Sequence, residues 1–215
     1  RLGDLLIRNG EREKGLKQVS EVLGNPALRD EGVRAIALRA KALALAEMMK
    51  PESLQITRDA IALLSKRGQS ADVRGLNLQL CLSAAHLGDS TEVARTCPVA
   101  ERQLAEAKSW NQWADVIAAF AIDHLNQQRY DSAIAAAARS RARAQQEKDG
   151  LNAWYALLIQ ANAEQRKGDK SAFGKSMLQL RTELEQFRGE RGDEWMKRHL
   201  ARPGIALLWG PVAAN

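Results

Sequence analysis

The side chains that could carry chemistry here are few, and their spacing decides against most reactions. Cys81 and Cys97 are the two cysteines, and His86, His124 and His199 the three histidines. None of these stands at a paired-ligand spacing, so no metal site is expected. Neither a Ser-His-Asp constellation nor a glycine-rich phosphate loop can be assembled, so no catalytic residue and no cofactor is assigned and the chain is expected not to be an enzyme. The cysteines fall on facing helices where small apolar residues are wanted. With no secretory signal in the sequence they are expected to be buried free thiols, a disulfide being the alternative only for an exported protein. The densest basic run, Arg139, Arg141 and Arg143, belongs to a net charge of +6. Alternate positions on a helix point about 200° apart, so Arg139 and Arg143 share a face that Arg141 opposes. That pattern suits a solvated outer helix rather than a phosphate track, and nucleic acid is not the expected partner.

The elements that must position these residues are helices. Trp113, Ala114, Val116, Ile117, Phe120 and Ala121 recur at helical spacing, the polar stretch Asn126-Gln127-Gln128-Arg129 turns the chain, and Ala133, Ile134, Ala137 and Ala138 resume the pattern. The plan repeats with Trp154, Leu157, Leu158 and Ala161, a turn at Gly168-Asp169-Lys170, then Phe173, Met177, Leu178, Leu180 and Leu184. Turn centres at Gly88, Gln128 and Gly168 are 40 residues apart, the mark of a helical repeat array. Towards the N-terminus the same reading places turns at Gly10 and Pro51. Seven residues before each turn stand Gly3, Ala44, Cys81, Ala121 and Ala161, all small. Two antiparallel helices approach closely only where a side chain is nearly absent, which explains the pattern. Eight before stand Leu2, Leu43, Leu80 and Phe120 as large partners, with Gln160 the exception.

Local signals set the boundaries. Gly24-Asn25-Pro26 ends a helix, Asp30 caps the next as far as about Met49, and Pro51 suits the opening turn of its successor. Pro98 predicts a kink or break near Thr96-Cys97. Gly189 to Gly192 reads as a loop, Asp193 as the cap of a short helix carrying Trp195, Met196 and Leu200, and Arg202-Pro203-Gly204 as its end. The run from Ile205 to Trp209 is too apolar for an idle end. Trp110, Trp113 and Trp154 are candidates for packing at hairpin junctions. Aromatic content of 5% and 36 alanines favour helix over sheet, and no apolar run approaches a membrane span. Residues 1–188 are expected to form the array and 189–215 a capping helix with an apolar tail. A cytoplasmic location is expected, and the absence of an initiator methionine suggests a piece of a longer polypeptide.

Two motifs carry a family resemblance. Leu2-Gly3, Leu6 and Gly10 followed by Gly15-Leu16, and Arg129-Tyr130-Asp131 followed by Ala133-Ile134, resemble the opening, turn and second-helix signatures of the tetratricopeptide repeat family. The 40-residue period exceeds the usual 34 of that family, which makes the chain more similar to the long-repeat variant of bacterial MalT-type regulators and signalling proteins. The resemblance implies an all-α fold, a right-handed α-solenoid of about five antiparallel hairpins. It also implies that first helices line an inner groove, at ten, nine, six, three and two residues before each turn. From those places the candidate groove residues are Lys41, Leu45, Met49, Leu78, Gln79, Leu82, His86, Ile122, Leu125, Asn126, Leu158, Asn162 and Arg166.

Such a groove is largely apolar, fitting an amphipathic helix or an extended peptide, unless curvature or the chain's own tail fills it. Chaperone-binding relatives grip a terminal carboxylate with a charged clamp. Only Lys41 and Asn162 have suitable types here, with two hairpins between them, so chaperone-tail binding is not expected. The reading is a non-catalytic protein or peptide interaction module of a larger bacterial regulatory protein. An effector-sensing domain of a transcriptional regulator or kinase is one alternative and a structural self-assembly module, with a homodimer as its product, another. The expected partners are a protein or peptide and other domains of the parent chain, and not a membrane.

Overall fold

The computed structural model describes residues 2–8, 11–27, 30–109 and 112–213. Every regular element among them is a helix. They are α1 (Leu2–Arg8), α2 (Arg12–Gly24), α3 (Glu31–Glu47), α4 (Glu52–Lys66), α5 (Ser70–Leu87), α6 (Ser90–Glu106), α7 (Trp113–Asn126), α8 (Tyr130–Gln146), α9 (Gly150–Lys167), α10 (Lys170–Arg191), α11 (Asp193–Leu200) and α12 (Pro203–Ala213). The turn expected at Gly10 and the side chain of Trp110 lie outside the described residues.

Consecutive helices from α1 to α10 pack on one another, and the odd-numbered ones also pack in series, α1 on α3, α3 on α5, α5 on α7 and α7 on α9. An inner layer of odd helices follows. Small residues permit the close approach: a Cβ added to Gly3 would lie 2.6 Å from Val19 Cγ2, and one on Gly15 would lie 2.7 Å from the Gly3 carbonyl oxygen. Ala44, Cys81, Ala121 and Ala161 are fully buried, as the spacing argument requires.

Residues with left-handed backbone reverse the chain. Within the pairs they are Met49, Gly88, Gln128 and Gly168, and between the pairs Gly68, Lys108 and Lys148, the last three 40 residues apart. The turn before α4 therefore centres on Met49 and not on Pro51, which sits at the N-cap of α4. Proline marked the start of the next helix, two residues late. Asp30, Asp89, Asp149 and Asp169 each accept a backbone N–H in the first turn of the helix that follows, satisfying donors a helix start leaves open.

Four other expectations are corrected. Of the kink or break expected at Pro98 the break is excluded, because helix α6 runs unbroken through it, held by the buried Val93, Cys97, Ala100 and Leu104 on its inner side while the proline is exposed. Residues 189–191 continue α10, and Gly192 alone makes the reversal, with φ of 84°. Asp193 does not cap α11 with its side chain, because its carboxylate accepts from Arg188 Nε instead. Cys81 and Cys97 are not free thiols but form a disulfide between α5 and α6, their Cα atoms 4.8 Å apart. The close antiparallel approach that calls for small side chains also brings two sulfurs within bonding reach.

The main core extends from Leu54 to Val212, so α11 and α12 share it with the helices before them. Trp154 is fully buried and donates its Nε1 hydrogen to the Leu180 carbonyl at 3.1 Å. Trp113 is partly buried and donates to Glu101 Oε1 at 3.3 Å. In the basic run, Arg139 is exposed, whereas Arg141 pairs with Glu183 of α10 at 2.6 Å and Arg143 with Glu147 at 2.6 Å. No helix among the described residues is long and apolar enough to cross a membrane.

Candidate functional site

The inner layer borders an open cavity of about 600 Å³ between α3, α5, the first turns of α4, α7 and α9, Arg12 of α2, and the segment joining α11 to α12. Apolar wall comes from Leu43, Leu78, Leu82, Leu151 and Ile205, and polar groups from Ser53, Gln79, His86, Asp115, Asp149 and Tyr155. A volume of this size suits a small molecule or the side chains of a short peptide.

Helix α12 forms part of the border. Its residues Pro203, Gly204, Gly210 and Pro211 read as breakers, yet Pro203 stands in the first turn, where a missing N–H costs nothing. Packing then fixes it. Asn162 Nδ2 donates to the Leu208 carbonyl at 2.9 Å and Gln165 Nε2 to that of Pro211 at 3.2 Å, while Trp209 lies 5.8 Å from Trp154 between ring centroids. Gly204 passes so close to His86 that an added Cβ would meet Cε1 at 2.9 Å.

His86 is the polar pivot. Its Nε2 shares a 2.7 Å hydrogen bond with the Tyr155 hydroxyl, linking α5 to α9, and its Nδ1 is buried without a partner. Burial pushes the imidazole down to about 4, so it is neutral, and pushes the Tyr155 phenol up, with the Asp115 charge adding to the effect. Asp115 itself is pushed up to about 7, first by burial and then by the neighbouring Asp149. His199, at the edge of the cavity, is pushed down to about 4 by burial and by Arg202 and Arg191.

Of the groove residues expected from the sequence, Met49, Leu78, Gln79, Leu82 and His86 line this cavity. Lys41 and Leu45 do not. Counting from Met49 instead of Pro51 moves the inner places two residues back, to Leu43, Ala46 and Glu47, which do line it, and two residues on a helix turn a side chain by about 200°. Ile122 and Leu125 are buried in the core, and Asn126 Nδ2 donates to the Ala85 carbonyl at 2.8 Å, tying α7 to α5. Leu158 and Asn162 are fully buried, the latter beneath α12, and Arg166 is exposed. The tail thus occupies the α9 end of the groove and leaves the α3–α5 end open as a cavity.

The sequence reading missed Asp115 and Tyr155. Both stand thirteen residues before their turns, as does Gly75 on α5, and all three line the cavity. Extending the inner-face pattern one helical turn towards each N-terminus would have found them. Among the described residues, no group of three His, Cys, Asp or Glu side chains is arranged to hold a metal ion. Set against family models, curated proteins and solved structures, the chain matches none.

Proposed function

We propose that the chain is a non-catalytic binding module, a right-handed tetratricopeptide-like array of about five hairpins that receives a peptide segment of a partner protein in its inner cavity. The cavity at the open end of the odd-helix layer is the observation that carries this reading. The 40-residue recurrence of left-handed residues between the hairpins supports the array. So does the accessible surface of 11348 Å², larger than the roughly 9,800 Å² of a compact monomer of this mass. Partner binding across α3, α5 and α9 would fix the relative set of three hairpins, which is how an array of this kind passes a binding event to attached domains.

A second reading, an effector-sensing domain, is favoured by the size of the cavity, about 600 Å³, which suits a small ligand. Helix α12 is engaged with its own chain's α9, so the self-assembly reading has less to draw on. The Cys81–Cys97 bridge favours an oxidising compartment over the cytoplasm.

Selection of a random peptide library against the immobilised chain tests the main reading. Binders are expected to lose at least tenfold in affinity on Leu82→Trp, which fills the cavity from its wall, provided circular dichroism shows the variant folded. Equal affinity for both proteins would place binding elsewhere and overturn it.

A further inference from the structure

Several buried and half-buried carboxylates in this chain are met by cations, whereas among the described residues buried Glu164 accepts only from Gln160. Glu92 receives Arg58 and Arg95, Asp123 lies 3.5 Å from Arg129, Glu183 receives Arg141, and Glu47 receives Arg12. Arg12 and Glu47 themselves line the cavity as a pair, and the departure from that pattern lies on the wall made by α7 and α9. Asp115 makes no hydrogen bond or ion pair with any described residue, and its neighbour Asp149 is engaged only as a cap, accepting from the backbone N–H and the Nδ2 of Asn152 at 3.1 and 2.9 Å. Two acids therefore share one wall, and burial and mutual repulsion hold the Asp115 carboxyl high. Arg202 stands at the edge of the same cavity without pairing with either aspartate.

Independent polar groups point to an occupant. Ser53 is fully buried, lines the cavity and has no partner for its Oγ. His199, 8% exposed, lines it too with Nε2 unpartnered, and the buried Nε2 of Gln79 is likewise unmet. Buried polar groups are ordinarily satisfied, so unpartnered ones that line one cavity mark groups that a ligand would satisfy. Leu78, Leu82 and Leu151 supply apolar wall in the same cavity.

We infer that the cavity takes an aliphatic cation, a guanidinium or ammonium group on a hydrocarbon stem, with Asp115 as its anionic partner. The inference rests on the binding-module reading and names the chemistry of the ligand. The head group pairs with Asp115 in a site of low dielectric, where a carboxylate–guanidinium contact is strong. The stem packs on the three leucines, and the rest of the ligand meets Ser53 and Gln79. The cation belongs either to a basic side chain of a peptide or to a free alkylamine.

Calorimetric titration of the full chain with three probes distinguishes these: a blocked Leu-Arg-Leu tripeptide, its neutral citrulline analogue, and agmatine. The arginine tripeptide is expected to bind at least tenfold more tightly than the citrulline analogue. That discrimination is expected to vanish in Asp115→Asn and to persist in Asp115→Glu, which keeps the charge and guards against a folding artefact. Binding by agmatine with the same dependence on Asp115 identifies a free amine as the source, and binding by the tripeptide alone identifies a peptide. Equal affinity for arginine and citrulline, discrimination that survives Asp115→Asn, or no binding by any probe overturns the assignment. If the citrulline analogue binds as tightly as the arginine peptide and loses affinity on Leu82→Trp, the cation assignment fails while the binding module stands.

Discussion

At the scale of single residues, the cavity contains ionisable groups whose shifts oppose one another. Asp115 is pushed up to about 7, so the stability it lends is present at low pH and is lost as pH rises from about 4 to about 7. His86 and His199, pushed down to about 4 and therefore neutral when folded, lend stability that is present above about 6.5 and lost as pH falls towards 4. Asp149 and Tyr155 of α9 and Arg202 after α11 share the cavity with them. The two effects cancel in part, and a shallow pH dependence is expected for the wild type. Urea unfolding of Asp115→Asn is expected to show a gain on the order of a few kcal/mol at pH 8 that disappears by pH 4. A constant difference across that range would mean that Asp115 is not desolvated. The disulfide makes a separate contribution: it joins residues 16 apart in sequence, and closing a loop of that length stabilises by about 3 kcal/mol. The Cys81→Ala/Cys97→Ala double variant is expected to lose about that much in the same assay, whereas an unchanged midpoint would show the bridge to be absent in solution. Cysteine spacing could not reveal the bond, because two small buried residues on facing helices satisfy the packing whether bonded or not.

At the scale of elements, α12 is the part least legible in the sequence. Its apolar run marked it as engaged, but two prolines and two glycines within eleven residues argue against a helix. The contacts with Asn162 and Gln165 override that local preference. Gly204→Val drives a branched side chain into the His86 ring, 2.9 Å from the position of its Cβ, and is expected to cost about 1–3 kcal/mol. Hydrogen exchange should then accelerate in α11 and α12 while α3 to α6 keep their protection. Uniform loss throughout the chain would contradict the view that α12 docks as a separable closing element. The turn before α4 teaches a related lesson. Proline is a strong punctuation mark, but the residue that reverses the chain there is Met49, a type that no turn rule singles out. Its distance of 39 residues from Gly88 was the available clue, and missing it turned Lys41 and Leu45 to the wrong side of α3.

At the scale of the whole molecule, the all-helical order and the close packing of neighbours were legible because both rest on short-range spacing: apolar periodicity within a helix and small residues at a fixed distance from a turn. The cavity was legible only in part. Leu78, Gln79, Leu82 and His86 follow from the inner-face pattern of α5, but the border made by α12 depends on its folding back across more than a hundred residues, which periodicity does not encode. Each hairpin touches mainly its neighbours, so the site exists only where α3, α5, α7 and α9 stand together with α12. The central claim is that this composite cavity is the binding surface. Methyl-resolved NMR of the full chain, titrated with a peptide selected against it, tests that most directly. The expected result is saturable shifts of Met49, Leu78, Leu82 and Leu151 with little change on α6 and α8. Shifts confined to those outer helices, with the four cavity residues silent, would contradict it.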